Sequence, residues 1–349
     1  MLDIYAGKQA LKTIQEQGFK QALFTTMLGA SGGPKWFTLF ALDKYLFGDF
    51  FKERTAELNL IGSSAGAFRF AALAQDNPVA AITRLADYYS HTVYSDKASS
   101  TEITAKALQL LDYVFDERGI EQILNNKIFK AHFIVSRCTG LTRYEAKPLQ
   151  IMGLLASILL NRLNRGLLNA QYQRYVYQAP SSQIKITDAY QFETHYVDLT
   201  KNNLRQALLA SGSIPLLMQG IKNIEDSPQG MYRDGGIIDY HFDVNIKPQD
   251  GLILYPHFSA QPKAGWFDKN LKRKVNPMHY QNTVMLVPSA KFVASLPFAK
   301  IPDRNDFTTM DATTRITYWQ TVLAETERLA ASLDEMINSQ NMTTIKALP

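Results

Sequence analysis

The chain has 349 residues, 46% of them hydrophobic and 20% charged, and carries a formal net charge of +5. That is ordinary globular composition with ample material for a core, and it excludes a disordered or fibrous chain. Its only cysteine, Cys138, excludes an intrachain disulfide and a thiolate metal cluster. The modest positive charge permits attraction to an anionic surface. It does not mark a nucleic-acid binder, because the basic residues are scattered and no recognition module accompanies the densest run, Lys269 to Lys274, which reads as a solvated loop. The opening stretch MLDIYAGKQALKTI has no basic region followed by an apolar one, so no secretory signal is expected there. No run approaches the roughly 18 apolar residues of a spanning helix. One elaborated domain over 1–349, cytoplasmic, is the expectation.

In chain order, residues 22–28 (ALFTTML) read as a short buried strand running into a glycine-rich loop, Gly29 to Trp36. Pro34 is placed to open a helix through about Phe47, with Gly48 as its stop. The order then repeats. The apolar run Leu58, Leu60, Ile61 leads into Gly62-Ser63-Ser64-Ala65-Gly66 and a helix-compatible segment, Ala67 to Ala74. Strand, sharp turn and helix are the context that gives a G-x-S-x-G sequence its meaning. Gly62 and Gly66 flank a turn too tight for side chains, and Ser64 at its apex is expected in a strained conformation with its hydroxyl in the open. The following helix points its free N–H groups at the same place. An ordinary glycine turn or a phosphate-binding loop is the alternative reading. Two consecutive strand–loop–helix units predict parallel strands with right-handed crossovers and an α/β sandwich, with both loops at the carboxyl edge of the sheet.

Further helices are expected over 78–93, 100–115, 118–126, 204–209 and 312–337, and strands over 129–136, 184–186, 195–199, 251–255 and 283–287. The segment 151–168 joins IMGLLASILL to Asn161, Arg162, Asn164 and Arg165. It reads either as a buried core helix or as a lid or interfacial helix with its arginines at headgroup level. No repeat, linker or domain boundary is visible.

A serine hydroxyl needs a group to take its proton. None of the six histidines sits in a glycine-framed loop late in the chain; His257, in YPHFS, is the best of them and would serve a conventional Ser-Asp-His arrangement. Asp239-x-His241-x-Asp243 has a metal-ligand look at too common a spacing to carry a site. Asp234-Gly235-Gly236 differs, because two glycines let the backbone turn tightly and bring the carboxylate to another loop, where it could act directly as the base. A plain turn aspartate is the alternative.

Three motifs in order resemble the patatin-like phospholipase family. Ser31-Gly32-Gly33-Pro34-Lys35-Trp36 is similar to its G-G-G-x-[RK]-G oxyanion loop, Gly62 to Gly66 matches its G-x-S-x-G elbow, and Asp234-Gly235-Gly236 matches its D-G-[GA] motif. Ala210 to Pro215 (ASGSIP) echoes the A-S-x-x-x-P stretch that precedes the last. The likeness spans about Ala22 to Asp243, with 244–349 completing the domain. The loop departs from the pattern at Ser31 and Trp36, where the family has glycine, so its backbone path is expected to differ.

The resemblance implies a three-layer α/β/α sandwich with a mostly parallel sheet, Ser64 as nucleophile and Asp234 as base. It implies Gly32 and Gly33 as oxyanion donors, with Lys35, Gly62, Gly66, Gly235 and Gly236 in support and no metal or cofactor. The implied activity is lipid acyl-ester hydrolysis through an acyl-enzyme, on a lipid or acyl-ester substrate; the 151–168 segment adds the expectation of transient association at a membrane surface, and the scattered basic residues that of no nucleic-acid partner. A transacylase using the same pair, or a non-catalytic lipid-binding protein with an altered loop, are the alternatives.

Overall fold

Parallel strands need crossovers long enough to hold a helix, and the chain supplies them from its N-terminal end onward. The computed structural model describes residues 1–248 and 250–348. It begins with strand β1 (Leu2–Ala6), helix α1 (Lys8–Gln17), strand β2 (Phe24–Gly29), helix α2 (Phe40–Tyr45), strand β3 (Leu58–Ser63) and helix α3 (Ala65–Leu73). Strands β4 (Phe129–Cys138) and β5 (Tyr172–Gln178) follow, separated by the helix Lys147–Leu163. Thr283–Pro288, Leu252–Pro256, β2, β3 and β4 lie side by side and all parallel. At the flanks the direction reverses: β1 runs antiparallel to Thr283–Pro288, and β5 antiparallel to β4. Helices flank this mostly parallel sheet, giving a mixed α/β fold of three layers. Residues after Asp243 therefore enter the middle of the sheet, as Leu252–Pro256 and Thr283–Pro288.

The pleat sorts the sheet's side chains between two cores. From β4, Ala131, Phe133 and Val135 enter the larger one, where Trp319 meets Phe37 at 5.3 Å and Phe307 at 5.0 Å between ring centres. Ile134 and Cys138 point to the opposite face. There the third layer consists of the Lys147–Leu163 helix and the two-stranded ribbon of Lys185–Thr187 with Asn245–Lys247.

Several elements differ from their sequence expectations for identifiable reasons. The single helix expected from Pro34 to Phe47 is a 3-10 segment (Gly33–Leu39), then α2, then a π turn (Leu46–Phe50). Trp36 to Leu39 are all buried, so packing on every side, not an amphipathic period, sets the winding. Gly48 does not stop the helix. A side chain there would press on Val79 at 3.0 Å. The helix expected over 312–337 is two helices, Ala312–Glu325 and Glu327–Ser339, divided at Thr326. The Thr326 hydroxyl donates back to Leu323 O at 2.6 Å and accepts the Ala41 N–H at 3.2 Å, side-chain bonds of the kind that favour a break in a helix. Strand β5 escapes a pattern search because Arg174 sits in its buried centre, held by Asp239 at 2.6 Å and Asp188 at 2.7 Å.

Candidate active site

The site is assembled by a change of partner along β4. From Phe129 to Ile134 that strand pairs with β3, ending on the register Ser63 to Ile134. One residue later the same edge is taken by the short antiparallel strand Met231–Asp234, which ends on the register Asp234 to Val135. Two strands thus run head to head against β4, and both must turn off the sheet where they meet. Ser64 and Asp234 are the residues at the two turns. Gly235 follows Asp234 because a side chain there would fall 2.2 Å from Ile134 O.

Each turn is forced by its surroundings. Ser64 has φ 53° and ψ −122°, a conformation costly for a residue with a side chain and kept only by the structure around it. Helix α3 leaves directly from it and crosses the sheet so closely that a side chain on Gly66 would sit 1.9 Å from Gly29 O. A side chain on Gly62 would meet Gly66 at 2.5 Å. The Ser64 N–H donates to Ser211 Oγ at 2.9 Å, and that hydroxyl donates to Ile134 O at 2.7 Å. On the other side the Asp234 N–H donates to Ser213 O at 3.0 Å. The ASGSIP segment thereby clamps both turns.

Between the turns, Ser64 Oγ donates to Asp234 Oδ2 at 2.8 Å, and Asp234 Oδ1 accepts the Gly236 N–H at 2.6 Å. Ser64 and Asp234 are 7% and 6% exposed, open only to the cleft. Burial pushes the Asp234 carboxyl up from its ordinary 3.8 to about 6, against the opposing hydrogen bonds from Ser64 and Gly236 and the charges of Arg304 and Lys269. A carboxylate poised there is ionised at neutral pH and can still accept a proton.

The glycine loop lies against this pair. Gly33 has φ +56°, and a side chain on Gly32 would strike the Phe258 ring at 2.7 Å. Among the described residues, neither the Gly32 nor the Gly33 N–H meets an acceptor outside the 3-10 helix they open. Lys35 reaches across to Asp303 at 3.2 Å. The structure thus brings Ser64, Asp234, Gly32, Gly33, Lys35 and Gly236 to one cleft, while Gly62, Gly66 and Gly235 shape its walls.

His257 is not part of this group. Its Nδ1 lies 2.6 Å from Ser259 O, its ring stacks on Phe258, and burial lowers its pKa to about 3. Asp239 of the D-x-H-x-D stretch pairs with Arg174, and Asp243 with His279 at 2.8 Å.

Ser64 stands where two cavities join. One, of about 900 Å³, is walled by Trp36, Phe68, Leu85, Leu110, Leu217 and Phe307 among others. The second, of about 250 Å³, contains Asp234, Lys35, Lys269, Arg304, Tyr240 and Trp266. Lys269 is therefore not simply part of a solvated basic run. Its ammonium lies 4.1 Å from the centre of the Tyr240 ring, and partial burial, then Arg304 and Lys35, lower its pKa to about 8. Among the described residues neither Lys269 nor Arg304 has a carboxylate within salt-bridge distance, and with Lys35 they outnumber Asp234 and Asp303 in the lining, so the second cavity is net cationic. Arg304, Lys269 and Tyr240 lie on loops beyond the elbow and Trp266 opens the short 3-10 helix Trp266–Asp268, and no local sequence signal marks them as site residues.

No protein-family model matches the chain, and no curated protein matches it. Among solved structures it is similar to VipD from Legionella pneumophila, at 11% identity over 89% of this chain and 67% of that one, with a TM-score of 0.36. A likeness so slight carries no weight of its own, and the function is read from Ser64, Asp234 and their surroundings.

Proposed function

We propose that the chain is a serine lipid acyl-ester hydrolase acting through Ser64 and Asp234. The observation that carries this reading is the 2.8 Å hydrogen bond between a serine on a strained elbow and a buried carboxylate, at the junction of an apolar and a cationic cavity. The acyl chain enters the larger cavity, and the alcohol side of the ester occupies the smaller one. Ser64 Oγ attacks the carbonyl carbon as its proton passes to Asp234 Oδ2. The negative charge gathers on the carbonyl oxygen, where the free N–H groups of Gly32 and Gly33 and the amino end of α3 can stabilise it. The intermediate collapses to an acyl-enzyme, and the departing alcohol takes the proton from Asp234. Water then attacks the acyl carbon as Asp234 accepts its proton, the C–Oγ bond breaks, and Asp234 returns the proton to Ser64 Oγ as the carboxylic acid leaves.

A fluorophosphonate probe tests the reading without knowledge of the substrate. The expected outcome is a single adduct on Ser64, absent in Ser64→Ala and formed at least about 10²-fold more slowly in Asp234→Asn. An unlabelled wild-type protein, or an adduct on another residue, would overturn it.

A further inference from the structure

The helix Lys147–Leu163 is amphipathic the wrong way round. Its inward positions are largely polar: Gln150, Ser157 and Asn161 are 2%, 0% and 1% exposed. Each is satisfied. Gln150 Oε1 accepts the Leu216 N–H at 2.9 Å, Ser157 Oγ lies 2.9 Å from the Tyr172 hydroxyl, and Asn161 Nδ2 donates to Asp268 Oδ1 at 2.9 Å. Its outward positions are apolar: Ile151, Met152, Leu155, Ile158, Leu159 and Leu163 are between 46% and 79% exposed. At 3.6 residues per turn they fall in one arc of about 140°. Of the two expectations for this segment, the buried-core one does not hold, and the interfacial half of the other is taken up below. It is not a core helix, and its buried polar side is fastened to the body, so it is not a hinged lid. Arg165 is not at its rim either: it is 2% exposed and paired with Asp268 at 3.0 Å.

We infer that this helix docks the protein on an anionic lipid surface, with its apolar stripe in the acyl region and the basic residues around it among the headgroups. The stripe is bordered by exposed Arg143 and Lys147 at one end and Arg162 at the other. Arg273 donates to Asn161 O at 2.7 Å, which brings the exposed Lys272 and Lys274 to that second end. No carboxylate stands on the helix, and Glu145 just before it is drawn back onto Arg233 at 2.8 Å. Charge separates a lipid surface from a second copy of the chain. Two stripes pressed together about a two-fold axis would bring cationic ends face to face with no acid between them, whereas anionic headgroups neutralise both.

The placement also serves the cleft. Gln150 holds the backbone beside Pro215, and Asn161 holds Asp268 beside Lys269; Pro215 and Lys269 are both walls of the cationic cavity. A docked helix would set that cavity next to the headgroups. The inference extends the acyl-ester reading to substrates held in a bilayer, but its test needs no turnover.

Ser64→Ala protein is sedimented with vesicles of phosphatidylcholine alone and of phosphatidylcholine with phosphatidylglycerol. Binding is expected to the anionic vesicles, weakened at least about tenfold by Leu155→Asp with Leu159→Asp and made less salt-sensitive by Arg162→Gln with Lys272→Gln. A milder pair, Leu159→Gln with Leu163→Gln, is read alongside, and near-native melting of either pair confirms folding. No binding to anionic vesicles, or undiminished binding by the folded apolar-face variants, overturns the inference. A wild-type dimer that these same substitutions turn into monomer, without vesicle binding, does so in favour of a second copy.

Discussion

Replacing Asp234 by asparagine should stabilise the fold while stopping the chemistry. The carboxyl is held at about 6 against an ordinary 3.8, mainly by burial. A carboxyl whose folded pKa is raised contributes stability that is whole below the unfolded value and is lost as pH rises through the folded one. The gap is about 2 units at about 1.4 kcal/mol each, so ionised Asp234 costs the native state about 3 kcal/mol at pH 7.5 relative to a neutral group. At pH 4 the same relation leaves only about 0.5 kcal/mol. Asparagine keeps the shape, its oxygen can still accept the Gly236 N–H, and its amide can donate to Ser64 Oγ. For a chain of this length the unfolding entropy is about 0.7 kcal/mol/K, so Asp234→Asn should raise Tm by about 4 °C at pH 7.5 and by less than about 1 °C at pH 4. Calorimetry at both pH values reads this, beside ester turnover that should fall at least about 10²-fold. A variant that melts lower than wild type by the same amount at both pH values would refute the reasoning. It would mean that the carboxylate is an ordinary structural hydrogen-bond acceptor.

The same poise predicts an acidic limb in the pH profile of kcat/KM for a soluble ester. Activity should rise with pH through an apparent pKa of about 6 as Asp234 ionises; a limb centred near the ordinary 3.8 would show that burial does not govern this group. Gly33→Ala should lower kcat by about 10²-fold with little change in KM. The new methyl has room, with Tyr89 Oη nearest at 3.6 Å, but a φ of +56° does not suit alanine, and relaxing it turns an N–H aside. A rise in KM at unchanged kcat would assign that loop to ground-state binding.

What the sequence shows of this site is what short stretches can enforce. Strand, tight turn and helix around Ser64 lie within one run of residues, and the glycines there are demanded by contacts only a few residues away or on the adjacent strand. Asp234 is visible as an acid before two glycines, yet nothing local says which loop it meets. Its partner is set by β4 exchanging β3 for Met231–Asp234 at a single register step, a relation between segments far apart in the chain. The cationic wall is invisible for the same reason, since Lys269 and Arg304 arrive on loops without period or motif. The helix at 147–163 misleads because an apolar run is ordinarily a core signal. Only the burial of Gln150, Ser157 and Asn161 shows that the polar side faces inward.

The two departures of the glycine loop have separate physical consequences. Trp36, where the resemblance expects a final glycine, is 2% exposed and meets Phe37 at 4.9 Å, so this position is spent on the core. Ser31, in place of the first glycine, donates from Oγ to Ser63 Oγ at 3.0 Å, and its N–H donates to Tyr240 O at 2.9 Å. A side chain on Gly236 would fall 2.6 Å from the same Ser31 hydroxyl. One residue thus ties the glycine loop to the strand before Ser64 and to the segment after Asp234. The three turns cannot shift independently without breaking buried hydrogen bonds, and leaving such a group unpaired costs on the order of 1–3 kcal/mol. A serine at this point therefore does not loosen the loop. It fixes the spacing between the Gly32 and Gly33 N–H groups and Ser64, and if those groups form the oxyanion hole proposed above, one fixed before substrate arrives needs no reorganisation as charge develops.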